Sequence, residues 1–124
     1  MNRSKRTSTS REHPQRGSGT VLALGLGLVV IMASALIVLL AQSAAMASRA
    51  AAAADLAALA AADAARGLAP GEPCAVAEEV ARRNNAAVLS CVEGAGGTVQ
   101  VRTELGARTF LGAATGQARA GPPP

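Results

Sequence analysis

Residues 17–48 contain no charged side chain, an uninterrupted run of 32 positions around which the rest of the chain is organised. Its centre, 21–41, reads VLALGLGLVVIMASALIVLLA, with Ser34 as the one polar residue. About 20 consecutive apolar residues in a helix cross the hydrocarbon core of a bilayer, so the pattern predicts a transmembrane helix over 17–43, with Gln42 and Ser43 at the far interface. Gly25 and Gly27 would weaken a soluble helix, but membrane helices tolerate glycine and small residues allow close helix contact. The alternative is a buried helix of a soluble protein. A chain of 124 residues has little mass with which to surround such a segment on all faces.

The pattern changes beyond the span without leaving the helix. Residues 44–66, AAMASRAAAAADLAALAAADAAR, are mostly alanine, the best helix former, with no Gly or Pro inside. One rod is therefore expected over about residues 19–66, roughly 70 Å long at ~1.5 Å per residue. Asp63 and Arg66 are spaced i, i+3 on it, and the alanine face is narrow enough for close packing. Gly67, Pro70, Gly71 and Pro73 then end the helix and turn the chain. Residues 74–84, CAVAEEVARRN, predict a short amphipathic helix with Val76, Ala77, Val80 and Ala81 on one side. Glu78, Glu79, Arg82 and Arg83 lie elsewhere on it.

Two strands are expected next. Residues 88–92 read as the first, residues 94–97 as a glycine-rich turn, and 98–105 as the second. In that second strand Val99, Val101, Thr103 and Leu105 alternate with Thr98, Gln100, Arg102 and Glu104. A lone hairpin is marginal in water, so its apolar face is expected on the helices. After Gly106 the sequence offers Phe110 and Leu111 as its one anchor, and Pro122 to Pro124 are expected to be extended. The fold class is thus α+β, with a long transmembrane helix, its Ala-rich extension, and a short helix packed with a β-hairpin. The segments are 1–16, a basic disordered tail; 17–43, the span; 44–66, the Ala-rich extension; 67–118, a small α+β domain; and 119–124, a flexible Pro-rich end.

Composition narrows the functions such a chain can serve. The net charge of +4 resides in residues 1–16, where Arg3, Lys5, Arg6, Arg11 and Arg16 face Glu12 alone. The remainder balances seven arginines against seven acids, and the chain has one aromatic residue, so nucleic-acid binding is not expected. A basic flank before the span and a neutral one after it place the N-terminus in the cytoplasm and the C-terminal domain outside. A cleavable signal peptide has the same polarity, and Ala45-Met46-Ala47 before Ser48 fits a signal-peptidase site. The apolar stretch exceeds the usual ~7–15 residues of such a signal, which favours an uncleaved anchor.

Export alters the reading of the two cysteines. Outside a reducing cytosol two thiols in a small domain pair, so Cys74 and Cys91 are expected to form a disulfide, with unpaired structural thiols as the alternative. Closing that loop stabilises the fold by about 3 kcal/mol in the chain-entropy model. A metal site lacks ligands, because the sole histidine, His13, lies on the other side of the span. Catalysis lacks a base: no His accompanies any Ser or Cys, and Glu78 and Glu79 are adjacent helical positions beside Arg82 and Arg83. No enzyme activity, cofactor or small-molecule substrate is expected.

Five stretches together carry a family resemblance. They are Arg16-Gly17-Ser18-Gly19-Thr20-Val21 opening the span, the RAAAAADLAALAAA run over 49–62, the two cysteines around a VA-x-x-N-like helix, the Val99-Gln100-Val101 strand, and Ala118-Arg119-Ala120-Gly121-Pro122. In this combination the chain resembles the TadE-like family, pilin-like proteins of the Flp/tight-adherence pilus-assembly and secretion neighbourhood, of the small actinobacterial helicase/secretion-neighbourhood type. The resemblance implies a bitopic membrane protein with a pilin-like exported domain, a minor pilin or pseudopilin that packs against other pilin-like or Tad assembly proteins through its membrane helix. It also implies a prepilin cleavage site at Gly17 and Ser18. Related prepilins carry a Glu at the fifth mature position, where this chain has Leu22, so an uncleaved anchor stands equally beside a matured pilin. A signal-cleaved or membrane-tethered secreted protein that binds other proteins is the alternative function.

Overall fold

The computed structural model describes residues 15–109 and 111–123. Arg3, Lys5, Arg6, Arg11, His13 and the expected anchor Phe110 lie outside the described residues. Five elements follow in order: α1 (Gln15–Ala65), α2 (Pro73–Arg83), β1 (Ala86–Gly94), β2 (Thr98–Thr109) and β3 (Gly112–Ala120). The chain divides into two units, the first ending at Ile37 and the second spanning Val38–Pro124.

In the first unit, α1 is a helix whose residues from Ser18 to Ile37 are all exposed. The Thr20 and Ser34 hydroxyls turn inward to the helix itself. Ser34 Oγ donates to the Val30 carbonyl at 2.7 Å, which hides the one polar group of the apolar run against its own backbone.

The second unit is built on alanine. Of the α1 residues in this unit, Ala50, Ala53, Ala54, Ala57, Ala58, Ala61, Ala62 and Ala64 are buried, spaced by three and four so that they share one face. Leu56 and Leu59, the larger side chains of the same stretch, stay exposed on the other side. Small residues face the sheet because a smooth helix surface lets the strands come close. The strand alternation expected from the sequence is present: Val99, Val101, Thr103 and Leu105 of β2 are buried, whereas Arg102 is exposed. Val99, Val101 and Thr103 are the largest fully buried side chains, so the core is one valine-rich strand face laid on an alanine helix.

The sheet has three antiparallel strands in the order β1-β2-β3, one more than the expected hairpin. β3 was unforeseen because GAATGQARA shows no alternation of large apolar residues. It pairs along β2, with Thr103 opposite Gly116 and Val99 opposite Ala120. Arg119 and Ala120 thus close a strand, and the terminal segment starts two residues later than the expected boundary at 119. Both ladders are interrupted, β1 between Val88 and Ser90 and β2 between Glu104 and Arg108. Such bulges bend a strand and increase its local twist.

Local chemistry explains where the helices stop and start. Leu68 N–H donates to the Asp63 carbonyl and Gly67 N–H to the Ala64 carbonyl, with Gly67 at φ 73°, a left-handed glycine cap that ends α1. At the start of α2 the Glu72 carboxylate accepts from the Ala75 amide at 2.9 Å and the Cys74 amide at 3.3 Å, and Pro73 holds the first helical position. Replacing Glu72 with alanine removes this cap, and the expected loss is about 1 kcal/mol in a denaturant titration. An unchanged midpoint would show that solvent caps α2 equally well. At the other end Asn84 Nδ2 donates to the Val80 carbonyl, and Asn85 takes the left-handed φ of 55°, which ends α2.

Candidate interaction surfaces

Five features were singled out by the sequence, and the structure locates those within its described residues. Cys74, at the start of α2, is bonded to Cys91 in β1, with Cα atoms 5.8 Å apart. Two elements far apart in packing strength are joined here, since α2 buries only Ala77 and Ala81 fully. Glu72 and Glu93 lie near Cys74, with ligand atoms of all three within 4.8 Å of one another. The sulfur is in the disulfide and the Glu72 carboxylate caps α2, so this cluster offers no thiolate and one already engaged carboxylate.

Gly17 and Ser18 lie inside α1 and line a shallow groove of about 740 Å³ with Val21, Leu22, Gly25 and Leu26. Its two glycines, Gly17 and Gly25, stand about two turns apart, which makes a surface on which another apolar helix fits, and none of the described residues lining it is charged. Arg16 belongs to the first turn of α1. The other basic residues assigned to membrane orientation are outside the described residues.

Glu78 and Glu79 do not converge. Glu79 pairs with Arg82 and, at 2.9 Å, with Arg83 on the exposed side of α2. These pairs are solvent-screened and add at most a few tenths of a kcal/mol each. Asp63 and Arg66, read as a further pair, are both exposed at the end of α1.

One surface could not be read from the sequence. A groove of about 950 Å³ is formed where α1, the end of α2, the start of β1 and β2 meet, and Arg49, Arg82 and Arg83 line it together with Met46, Leu105 and Gly106. Its floor is tied by the Gly106 amide donating to the Asn85 carbonyl at 2.9 Å. Arg49 and Arg82 are 33 positions apart, so no local pattern announces that they line one groove. Among the described residues that line it, none is acidic.

The apolar part of α1 is uncovered by the other described residues. It has a mean hydropathy of 2.8 over its most apolar window, and none of that window is buried. By length and composition it is sufficient to cross a membrane. A core helix of a soluble protein passes the same test of length but is covered by its own fold, and Leu24, Ile31 and Ile37 are here 75%, 68% and 65% exposed. Between Val21 and Leu40 fourteen large apolar side chains are exposed, a surface that is compatible with insertion into a membrane.

The chain as a whole matches no protein-family model, no curated protein sequence and no solved structure.

Proposed function

We propose that the protein is a non-enzymatic, single-pass membrane protein that holds a small disulfide-bonded α+β head at the surface, and that it serves as a TadE-like minor pilin or pseudopilin in a Flp/Tad-type assembly or secretion apparatus. The observation that carries the membrane part is the bare apolar length of α1, which no other described residue covers. The basic residues Arg3, Lys5, Arg6, Arg11 and Arg16 before it support a cytoplasmic N-terminus and an exported head. The disulfide supports export, because such bonds persist in oxidising compartments. The assembly role rests on the family resemblance and on the glycine-lined groove of α1, a surface suited to a second apolar helix. Its partners are then other pilin-like or Tad assembly proteins.

A second reading has a specific observation in its favour. The buried alanines of α1 begin at Ala50, just beyond the bond between Ala47 and Ser48 that a signal peptidase would cut. A head released there keeps every fully buried position of its core and would act as a secreted protein that binds other proteins.

The mature N-terminus separates these readings. Mass spectrometry of the protein from its native membrane is expected to find a start at Met1 or Asn2 for an anchor, or at Ser18 for a processed pilin. A start at Ser48 with the protein in the medium would overturn the membrane-assembly reading in favour of the secreted one.

A further inference from the structure

Arg49, the arginine of the groove that α1 carries, stands at a defined height along that helix. Ala41 is the last residue of the apolar run, and at ~1.5 Å per residue Met46 lies about 7 Å and Arg49 about 12 Å beyond it. The polar layer of a bilayer extends about 5–8 Å past the hydrocarbon on each side. Met46 therefore sits at the outer edge of that layer, and the flexible Arg49 side chain reaches back into it. The strand direction agrees. Gly97, just before β2, lies beside Arg66, the residue that follows α1, whereas Thr103 further along β2 bonds to Ala50 of α1. β2 thus runs toward the membrane end of α1, which brings Leu105 and Gly106 level with Met46 in the groove and carries Arg108 and the exposed Leu111 onward in the same direction.

We propose that this groove receives the phosphate of an anionic phospholipid headgroup from the leaflet that α1 leaves. The inference rests on the membrane reading above. Three guanidiniums against the one carboxylate of Glu79 leave a local charge of +2, and each arginine paired with Glu79 keeps further N–H donors for an anion. Guanidinium groups match phosphate oxygens in pairs of hydrogen bonds, which a lysine cannot do in the same geometry. The apolar lining, Met46 and Leu105, suits the glycerol and first acyl carbons rather than a free ion. Bound this way, the lipid would set the head against the bilayer and limit its rotation about α1.

The test uses the full chain in nanodiscs of phosphatidylcholine alone or with three parts in ten phosphatidylglycerol, read by amide hydrogen exchange. Residues 84–87 and 105–107, the Gly106 amide among them, are expected to exchange more slowly with phosphatidylglycerol. Each arginine is expected to contribute on the order of fivefold, and added salt to reduce the effect. Arg49→Gln, Arg82→Gln and Arg83→Gln combined should abolish the difference. Unchanged slow exchange at Val101 checks that this variant is folded. Incorporation into both discs with identical exchange in the two lipids would overturn the proposal and leave the membrane reading standing. Equal slowing by inorganic phosphate in phosphatidylcholine discs would also overturn it, showing a site for free anions. Failure to enter either disc would overturn both.

Discussion

Gly116→Val is expected to destabilise the head by about 3 kcal/mol, which for a unit of this size lowers Tm by more than about 10 °C. Gly116 faces the backbone of α1, and a Cβ there would fall on the Ala50 carbonyl and the Ala51 amide. A flexible side chain at that place would move aside. Two peptide groups inside a helix cannot, so the strand itself must retreat. Its retreat would strain the neighbouring contact, in which Thr103 Oγ1, fully buried, donates to the same Ala50 carbonyl at 3.0 Å. Gln117→Ala, one residue on and exposed, is the control and should stay within about 0.5 kcal/mol. Both are measured by thermal denaturation of the full chain in detergent. A Gly116→Val protein as stable as the control would mean that β3 does not approach α1 closely.

Removal of the disulfide is expected to cost nearly as much. Cys74→Ser with Cys91→Ser opens a loop closed across 17 positions, with an expected loss of about 3 kcal/mol. The loss should be uneven. α2 is held by Ala77, Ala81 and partly buried Val80, whereas β2 is paired on both sides and lies on the alanine face. Hydrogen exchange of the variant should therefore show α2 opening at a lower free energy than β2. Equal acceleration in both elements would show that the head unfolds as one unit and that the bond does not act chiefly on α2.

These two positions differ in how far they could be found from the sequence. The cysteines were legible because pairing depends on compartment, number and loop size, all properties of the linear chain. Gly116 was not, because nothing local distinguishes a glycine that meets a helix backbone from one in a tail. The alternation of β2 was legible, since a strand with one buried face must repeat every second residue. β3 carries no such repeat: its inward positions include Gly116 and Ala118, and it is recruited by the open edge of β2 rather than by its own hydrophobicity. The cap made by Glu72 was also hidden. A carboxylate before a proline can serve a helix or a turn, and only the observed Glu72 geometry, φ −80° and ψ 133°, decides between them.

The alanine run tells the same story from the other side. Its composition alone predicts a helix, because alanine loses the least on helix formation. Which alanines are buried depends on the tertiary structure. The face through Ala50, Ala57 and Ala61 meets the sheet, and the face with Leu56 and Leu59 does not, contrary to what hydrophobicity alone would choose. Close approach of Thr103 and Gly116 to Ala50 requires small residues at the contact, so size overrides apolar character.

The linear chain by itself determined the apolar length of α1, its helical extension, the one-sided strand and the pairing of two thiols. Each follows from periodicity, charge or counting, which act between near neighbours or on the chain as a whole. Folding alone decided that a third strand joins the sheet, that alanines rather than leucines face it, and that Arg49 lines one groove with Arg82 and Arg83. These depend on which distant backbones can approach one another, a property of shape that no short stretch of residues encodes.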